Sequence, residues 1–156
     1  MLTTVLPLQS EHIDGCARLM AGLPLWHEHY AVNEEGARAR FAAGLAEGAD
    51  IRVALAGDEV VGFVFFLRRG VFGRSGYIRL LGVRADWQAQ GVGTQLMDVA
   101  EAACFAEARD VFLFVSAFNE AAQRFYRHRG YGQVGVITDY VQPGVDELIF
   151  RKRRPE

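Results

Sequence analysis

The spacing of apolar residues changes several times along the chain, and each change marks an element. Thr3 to Leu8 is a β-branched, mostly apolar run that predicts a first strand. Ser10 stands where a helix cap belongs, with Glu11 in the first turn. Ile13, Ala17 and Met20 then recur at helical spacing until Gly22 and Pro24 stop the helix. Asn33 caps a second predicted helix, whose apolar face is Ala37, Phe41 and Leu45 and whose end is Gly48. Ile51, Val53 and Leu55 alternate as a half-buried strand does, and Gly57-Asp58 turns the chain into Val60–Leu67, so the pair reads as a hairpin. Residues 68–76 read as a loop carrying Arg68, Arg69 and Arg74. Tyr77–Val83 is the next strand, followed by a long helix from Val92 to Ala108 with Leu96, Val99, Ala103 and Cys104 on one side. Val111–Val115 reads as a buried strand, and Asn119–His128 as a helix with Ala122, Phe125 and Tyr126 on one face. Tyr131–Ile137 and Glu147–Arg151 are closing strands around a loop with Pro143-Gly144.

The order is β-α-α-β-β-β-α-β-α-β-β. Strands joined as hairpins pair antiparallel, and strands linked through a helix are expected to pair parallel. The fold class is therefore α/β, of the α+β kind: a mixed, mostly antiparallel sheet of about seven strands, with about four helices on its two faces.

Composition narrows the class of function. The 156 residues suit a single domain spanning 1–156, and 51% hydrophobic with 23% charged residues is a globular composition. A net charge of -2 gives no global attraction to nucleic acid or acidic membranes. The one basic cluster, Arg151-Lys152-Arg153-Arg154, reads as a solvated chain end. Cys16 and Cys104 fall among apolar helix residues and read as core thiols, not as a disulfide or a metal site. The N-terminus lacks a basic region followed by an apolar run, and no apolar stretch nears the ~20 residues of a membrane span. No membrane or nucleic-acid partner is expected, and the expected location is cytoplasmic.

The informative junction is Gln88-Ala89-Gln90-Gly91-Val92-Gly93, between a strand and the long helix. Gly91 and Gly93 let a ligand approach the main chain closely. The first N–H groups of a helix have no partners within it, and the helix dipole adds about half a positive charge there. Such a junction suits a pyrophosphate without a lysine. Neither Gly-x-x-x-x-Gly-Lys-Ser/Thr nor Gly-x-Gly-x-x-Gly is present, which argues against the two common nucleotide motifs.

This loop matches Gln/Arg-x-x-Gly-x-Gly/Ala, and Asn119-Glu120-Ala121-Ala122-Gln123-Arg124-Phe125-Tyr126-Arg127-His128-Arg129-Gly130-Tyr131 matches Asn-x-x-Ala-x-x-Phe-Tyr-x-x-x-Gly-Phe/Tyr. Together, and in this order, the two blocks resemble the GNAT superfamily of acetyl-CoA-dependent N-acetyltransferases. The resemblance implies acetyl-CoA as co-substrate, no metal, and an amine on a small molecule or peptide as acceptor. It implies that Gln88, Ala89, Gln90, Gly91, Val92, Gly93 and Thr94 hold the pyrophosphate, chiefly through the main-chain amides from Gln90 to Thr94. Leu81, Gly82 and Val83 would pair with the pantetheine arm like an added strand, the Val83 N–H pointing at the thioester carbonyl. Asn119 would bond the pantetheine or cysteamine part, and Tyr126 would be the general acid. Dimers are common in this fold, with exchange at the final strand and its loop, so a homodimer is compatible with the resemblance.

These roles suit the chemistry. Amine attack on a thioester creates an oxyanion that a fixed N–H stabilises. The departing thiolate, of pKa near ~8.5, then needs a proton. A tyrosine of pKa near ~10 can supply it. Related enzymes carry a basic glutamate on the fourth or fifth strand, but this chain has Tyr77 and Arg79 in the first stretch and Phe114 in the second. The base is therefore unassigned. Trp26, His27, His29 and Tyr30, with Glu28 among them, form a segment rich in His and aromatics that could bind a cation and take a proton. Tyr140 with Asp139 could also face the acceptor, and Glu147 is a further candidate. His12 and His128 read as surface helix residues.

Overall fold

A computed structural model describes residues 2–156. The elements are β1 (Thr4–Pro7), α1 (Ile13–Gly22), α2 (Glu34–Ala46), β2 (Asp50–Ala56), β3 (Glu59–Val71), β4 (Ser75–Val83), α3 (Val92–Phe105), β5 (Asp110–Ser116), α4 (Glu120–His128), β6 (Gly132–Ile137) and β7 (Glu147–Arg153). The strands form one sheet in the order β1-β2-β3-β4-β5-β7-β6. β4 and β5 pair parallel across the α3 crossover. β1 and β2 pair antiparallel although helices lie between them, contrary to the parallel pairing expected. Two helices in succession carry the chain out and back, so it re-enters the sheet at the end it left. β7 inserts between β5 and β6, antiparallel to both.

The chain forms two compact units, Met1–Phe66 with Leu80–Ala100, and Leu67–Arg79 with Glu101–Glu156. In the first, Phe41 meets Phe63 edge-on at 4.9 Å and Trp26 lies 5.7 Å from Phe63, amid buried residues of α1, α2 and β2. A bulge leaves Val61 without a register partner on β2, since Gly62 faces Ala54 and Val60 faces Leu55, while its carbonyl accepts the Arg84 N–H at 2.9 Å. The extra residue resets the alternation, so Val60, Phe63 and Phe65 all reach this core. Gly62 looks the other way, where a Cβ would stand 2.9 Å from both Val92 and Leu96 of α3. Asn33 caps α2 as the sequence predicts, its Oδ1 accepting the Gly36 N–H at 2.8 Å. The start of α1 differs. Gln9, not Ser10, is the cap of the short turn that leads into it, and the Gln9 N–H donates to Nδ1 of His12 at 3.0 Å. That bond draws His12 inward, so it is a buried residue and not a surface one. Cys16 is buried in α1, and burial pushes its thiol up to about 12.

In the second unit the expected loop at 68–76 is mostly strand, with only Phe72, Gly73 and Arg74 between β3 and β4. Arg68 and Arg69 hid the strand in the sequence; both reach Glu107, at 3.3 and 3.6 Å. The terminal basic cluster is likewise built into the sheet. Lys152 Nζ donates to Glu101 at 2.7 Å, Arg129 Nε to the same carboxylate at 3.1 Å, and the Tyr131 hydroxyl at 3.0 Å. Arg153 lies 3.5 Å from Asp110, and Arg154 donates to the Phe105 carbonyl at 3.1 Å. Glu101 is thus the buried anion on which two cations and a phenol converge. Removing it takes the shared carboxylate from both cations, and a broken buried pair costs about 3–5 kcal/mol. Glu101→Ala is expected to lower the urea-unfolding free energy by about that amount and Tyr131→Phe by about 1–3 kcal/mol. A loss under about 1 kcal/mol for Glu101→Ala would contradict this anchoring role.

Candidate active site

In the first unit the candidate residues lie at the end of β4 and the start of α3. The pairing of β4 with β5 runs through Gly76, Tyr77 and Ile78, and β4 continues beyond it to Val83. Side chains alternate along this stretch. Leu80 packs on the core of α1 and α2, and a Cβ at Gly82 would stand 2.7 Å from the Phe63 ring and 3.1 Å from Trp26. Leu81 and Val83 point the other way and are half-buried. Glycine at 82 thus lets Trp26 and Phe63 press against the strand.

A short turn, Ala85–Trp87, follows, and the chain then adopts left-handed backbone at Ala89 (φ 62) and Gly91 (φ 86). Alanine rarely occupies this region, so neighbouring bonds must hold it there. The Gln88 side chain donates to the Val83 carbonyl at 3.1 Å, and the Gln90 side chain donates to the Asp86 carbonyl at 3.0 Å. The two glutamines thereby close the loop on itself. The first well-formed helical bond joins the Gln95 N–H to the Gly91 carbonyl at 3.0 Å. Among the described residues, the N–H groups from Gln90 to Thr94 make no such bond to the chain. Exposed amides beside left-handed residues at a helix start form an anion-binding concavity.

In the second unit the candidate residues lie on α4 and its cap. The Asn119 Oδ1 accepts the Ala122 N–H at 3.2 Å as the helix cap, which leaves its amide nitrogen to donate elsewhere. Tyr126 is 8% exposed, with Phe125 at 5.2 Å and Tyr131 at 5.7 Å, both edge-on. Among the described residues its hydroxyl makes no hydrogen bond. Burial raises its pKa well above the usual phenol value, with the Arg129 charge opposing.

The chain matches the model of the Acetyltransferase (GNAT) family over residues 19–131. It belongs to the GNAT acetyltransferase family. An uncharacterised N-acetyltransferase of Methanocaldococcus jannaschii is 30% identical over 83 residues, and the chain spans about half of that relative's length, 53% against 52% of its own. The crystal structure of a Pyrococcus horikoshii protein matches with a TM-score of 0.81 at 20% identity, covering 99% of this chain and 100% of that one. That of an aminoglycoside 6'-N-acetyltransferase complexed with coenzyme A matches with a TM-score of 0.78 at 16% identity, covering all of both chains.

The other candidate residues of this GNAT chain are dispersed. Trp26 is the second residue of a π-helical turn, Leu25–His29, and its ring is buried against Phe63. His27, Glu28 and His29 are exposed on that turn and Tyr30 is half-buried. Tyr140 is 60% exposed in the second unit, in a loop pinned by the Gly144 N–H on Asp139 Oδ1 at 2.6 Å. Sequence reasoning missed Ser116, whose hydroxyl donates to both carboxylate oxygens of Glu147 at 3.0 and 3.1 Å. Only the β5–β7 register, which sets Ser116 opposite Glu147, reveals that pair. A cleft of about 570 Å³ in the first unit is lined by Asp14, Arg18, Asp58, Glu59 and Arg84. Its charges are largely paired, Arg84 with Asp86 and Glu59 and Asp14 with Arg38, and it holds none of the motif residues.

The Tyr126 shift has a consequence for stability. A folded-state pKa raised above the unfolded one gives stability that is complete below the unfolded value, near ~10, and is lost as pH rises beyond it. Unfolding free energy should therefore fall above pH ~10, and fall less steeply in Tyr126→Phe. Equal slopes in the two proteins would contradict the buried, protonated state of this hydroxyl.

Proposed function

We propose that this chain is an N-acetyltransferase that moves the acetyl group of acetyl-CoA to a primary amine of a small molecule or peptide by direct attack. The observation that carries the reading is the row of amides from Gln90 to Thr94 that make no well-formed bond among the described residues, beside left-handed Ala89 and Gly91, in a GNAT chain. The amides and the α3 dipole receive the pyrophosphate. The end of β4 at Leu81-Gly82-Val83 takes the pantetheine arm, and Asn119, by the family resemblance, supplies an amide donor to that arm. The aminoglycoside enzyme solved with coenzyme A has the same fold, which supports the choice of donor.

In the reaction the amine nitrogen forms a bond to the acetyl carbon, with the oxyanion held by the Val83 N–H. The carbon–sulfur bond then breaks and the thiolate takes the Tyr126 proton. The raised pKa keeps that phenol protonated at neutral pH, and among the described residues no acceptor holds its O–H, which leaves it to donate. An acceptor of pKa ~10.4 requires about 4–5 kcal/mol to shed its proton at pH 7, so the chain needs help on the acceptor side.

Free thiol released from acetyl-CoA in the presence of a broad amine panel tests the reading. Turnover with at least one amine is expected, and Tyr126→Phe should lower kcat by about 10²-fold or more. Full turnover by Tyr126→Phe would remove its role as acid. A second reading, an acyl-CoA sensor without catalysis, is favoured by Phe114, Tyr77 and Arg79 standing where relatives carry a carboxylate. Tight acetyl-CoA binding with no turnover on any amine would select it.

A further inference from the structure

The second unit has one sheet face that its own helices leave uncovered. Val111, Leu113 and Val115 of β5 and Phe150 of β7 are buried on the side of α3 and α4, where Arg127 stacks 5.0 Å over Phe150 and Lys152 reaches Glu101. Alternation sends Phe112, Phe114 and Ser116, with Glu147 opposite Ser116, to the other side. Tyr77 stands on that side too, because its neighbour Gly76 abuts Cys104 of α3.

Three aromatic rings line up there. Tyr77 and Phe114 lie 5.8 Å apart at 59°, and Phe114 and Tyr140 lie 5.7 Å apart at 82°. In such contacts the edge of one ring rests on a face of the next, and the ring faces turned away from the sheet are what the row offers a ligand. Glu147, 3% exposed, is held beside them by the Ser116 hydroxyl. The Tyr77 hydroxyl feels this surrounding: its pKa is raised by burial first, lowered by Arg79, and raised by Tyr140 and Glu147.

We propose that this aromatic row, with the Glu147 carboxylate at its end, is the seat of the acceptor's ammonium group. The acceptor class that fits is a primary amine arriving as a single cation on an apolar or aromatic stem. Aromatic faces attract such a cation, and a desolvated carboxylate nearby strengthens the attraction. Arg79, on the Tyr77 strand, opposes a second positive centre, which disfavours polyamines. Glu147 acts here as a positioning residue through its field. The inference rests on the transferase reading for its purpose, while the cation site itself rests on the geometry.

Tetramethylammonium chloride is a suitable probe, because it is a cation with no N–H and cannot be acetylated. Calorimetric titration of the full chain should show binding that exceeds a sodium chloride control. Tyr140→Ala, at an exposed position, and Glu147→Gln, which preserves shape, should each weaken it by about tenfold. The probe should also compete with any amine that the chain acetylates. Unchanged binding in both variants, or none beyond the salt control, overturns the inference. Amine turnover without competition by the probe would overturn it and leave the transferase reading standing. Tyr140-dependent binding with no turnover on any amine would uphold the cation site and remove the transferase reading.

Discussion

Five successive main-chain amides, Gln90 to Thr94, reach the start of α3 without a well-formed partner among the described residues. Unpaired amides at a helix start are ordinary. What sets these apart is how they are held. The backbone turns through left-handed Ala89 and Gly91, and the Gln88 and Gln90 side chains tie the turn to carbonyls just upstream. An alanine in that conformation carries a cost of order 1–3 kcal/mol. The surrounding bonds offset it, so the amides stand ready before any ligand arrives. A preformed site avoids the ordering cost on binding that a flexible loop would incur.

The rest of the first unit supports this loop. Gly82 lacks the Cβ that would push Phe63 and Trp26 away, so the end of β4 lies flat on the core and delivers the chain to the turn at a fixed place. Gly62 does the same for α3 on the opposite face, admitting Val92 and Leu96 close to β3. The bulge at Val61 allows both contacts from one strand. In the second unit Glu101 plays the comparable part, gathering Lys152, Arg129 and Tyr131 and so fixing the end of α4 against which Tyr126 packs.

Much of this was legible in the sequence. Seven strands, four helices and the Asn33 cap follow from periodicity and turn chemistry, and the two motif blocks from their resemblance to a family; all are local signals. The errors fall where a distant residue decides. His12 is buried because the Gln9 N–H needs an acceptor, and Arg68 and Arg69 belong to a strand because Glu107 awaits them. Lys152 looked like a chain end until Glu101, from another helix, was placed beside it. β1 and β2 pair antiparallel because two helices, not one, separate them. The motif residues could be named from the sequence; the Ser116–Glu147 pair and the Tyr77–Phe114–Tyr140 row could not, since they exist only through strand register.

The central claim, that these amides receive the coenzyme's pyrophosphate, can be read residue by residue. Amide proton–nitrogen correlation spectra recorded while coenzyme A is added should show their largest downfield proton shifts at Gln90, Gly91, Val92, Gly93 and Thr94, as each N–H takes an anionic acceptor. Dephosphorylated pantetheine, which lacks the pyrophosphate, should leave those five signals near their starting positions. Shifts of equal size with both ligands, or none at Gln90 to Thr94 with coenzyme A bound, would contradict the account.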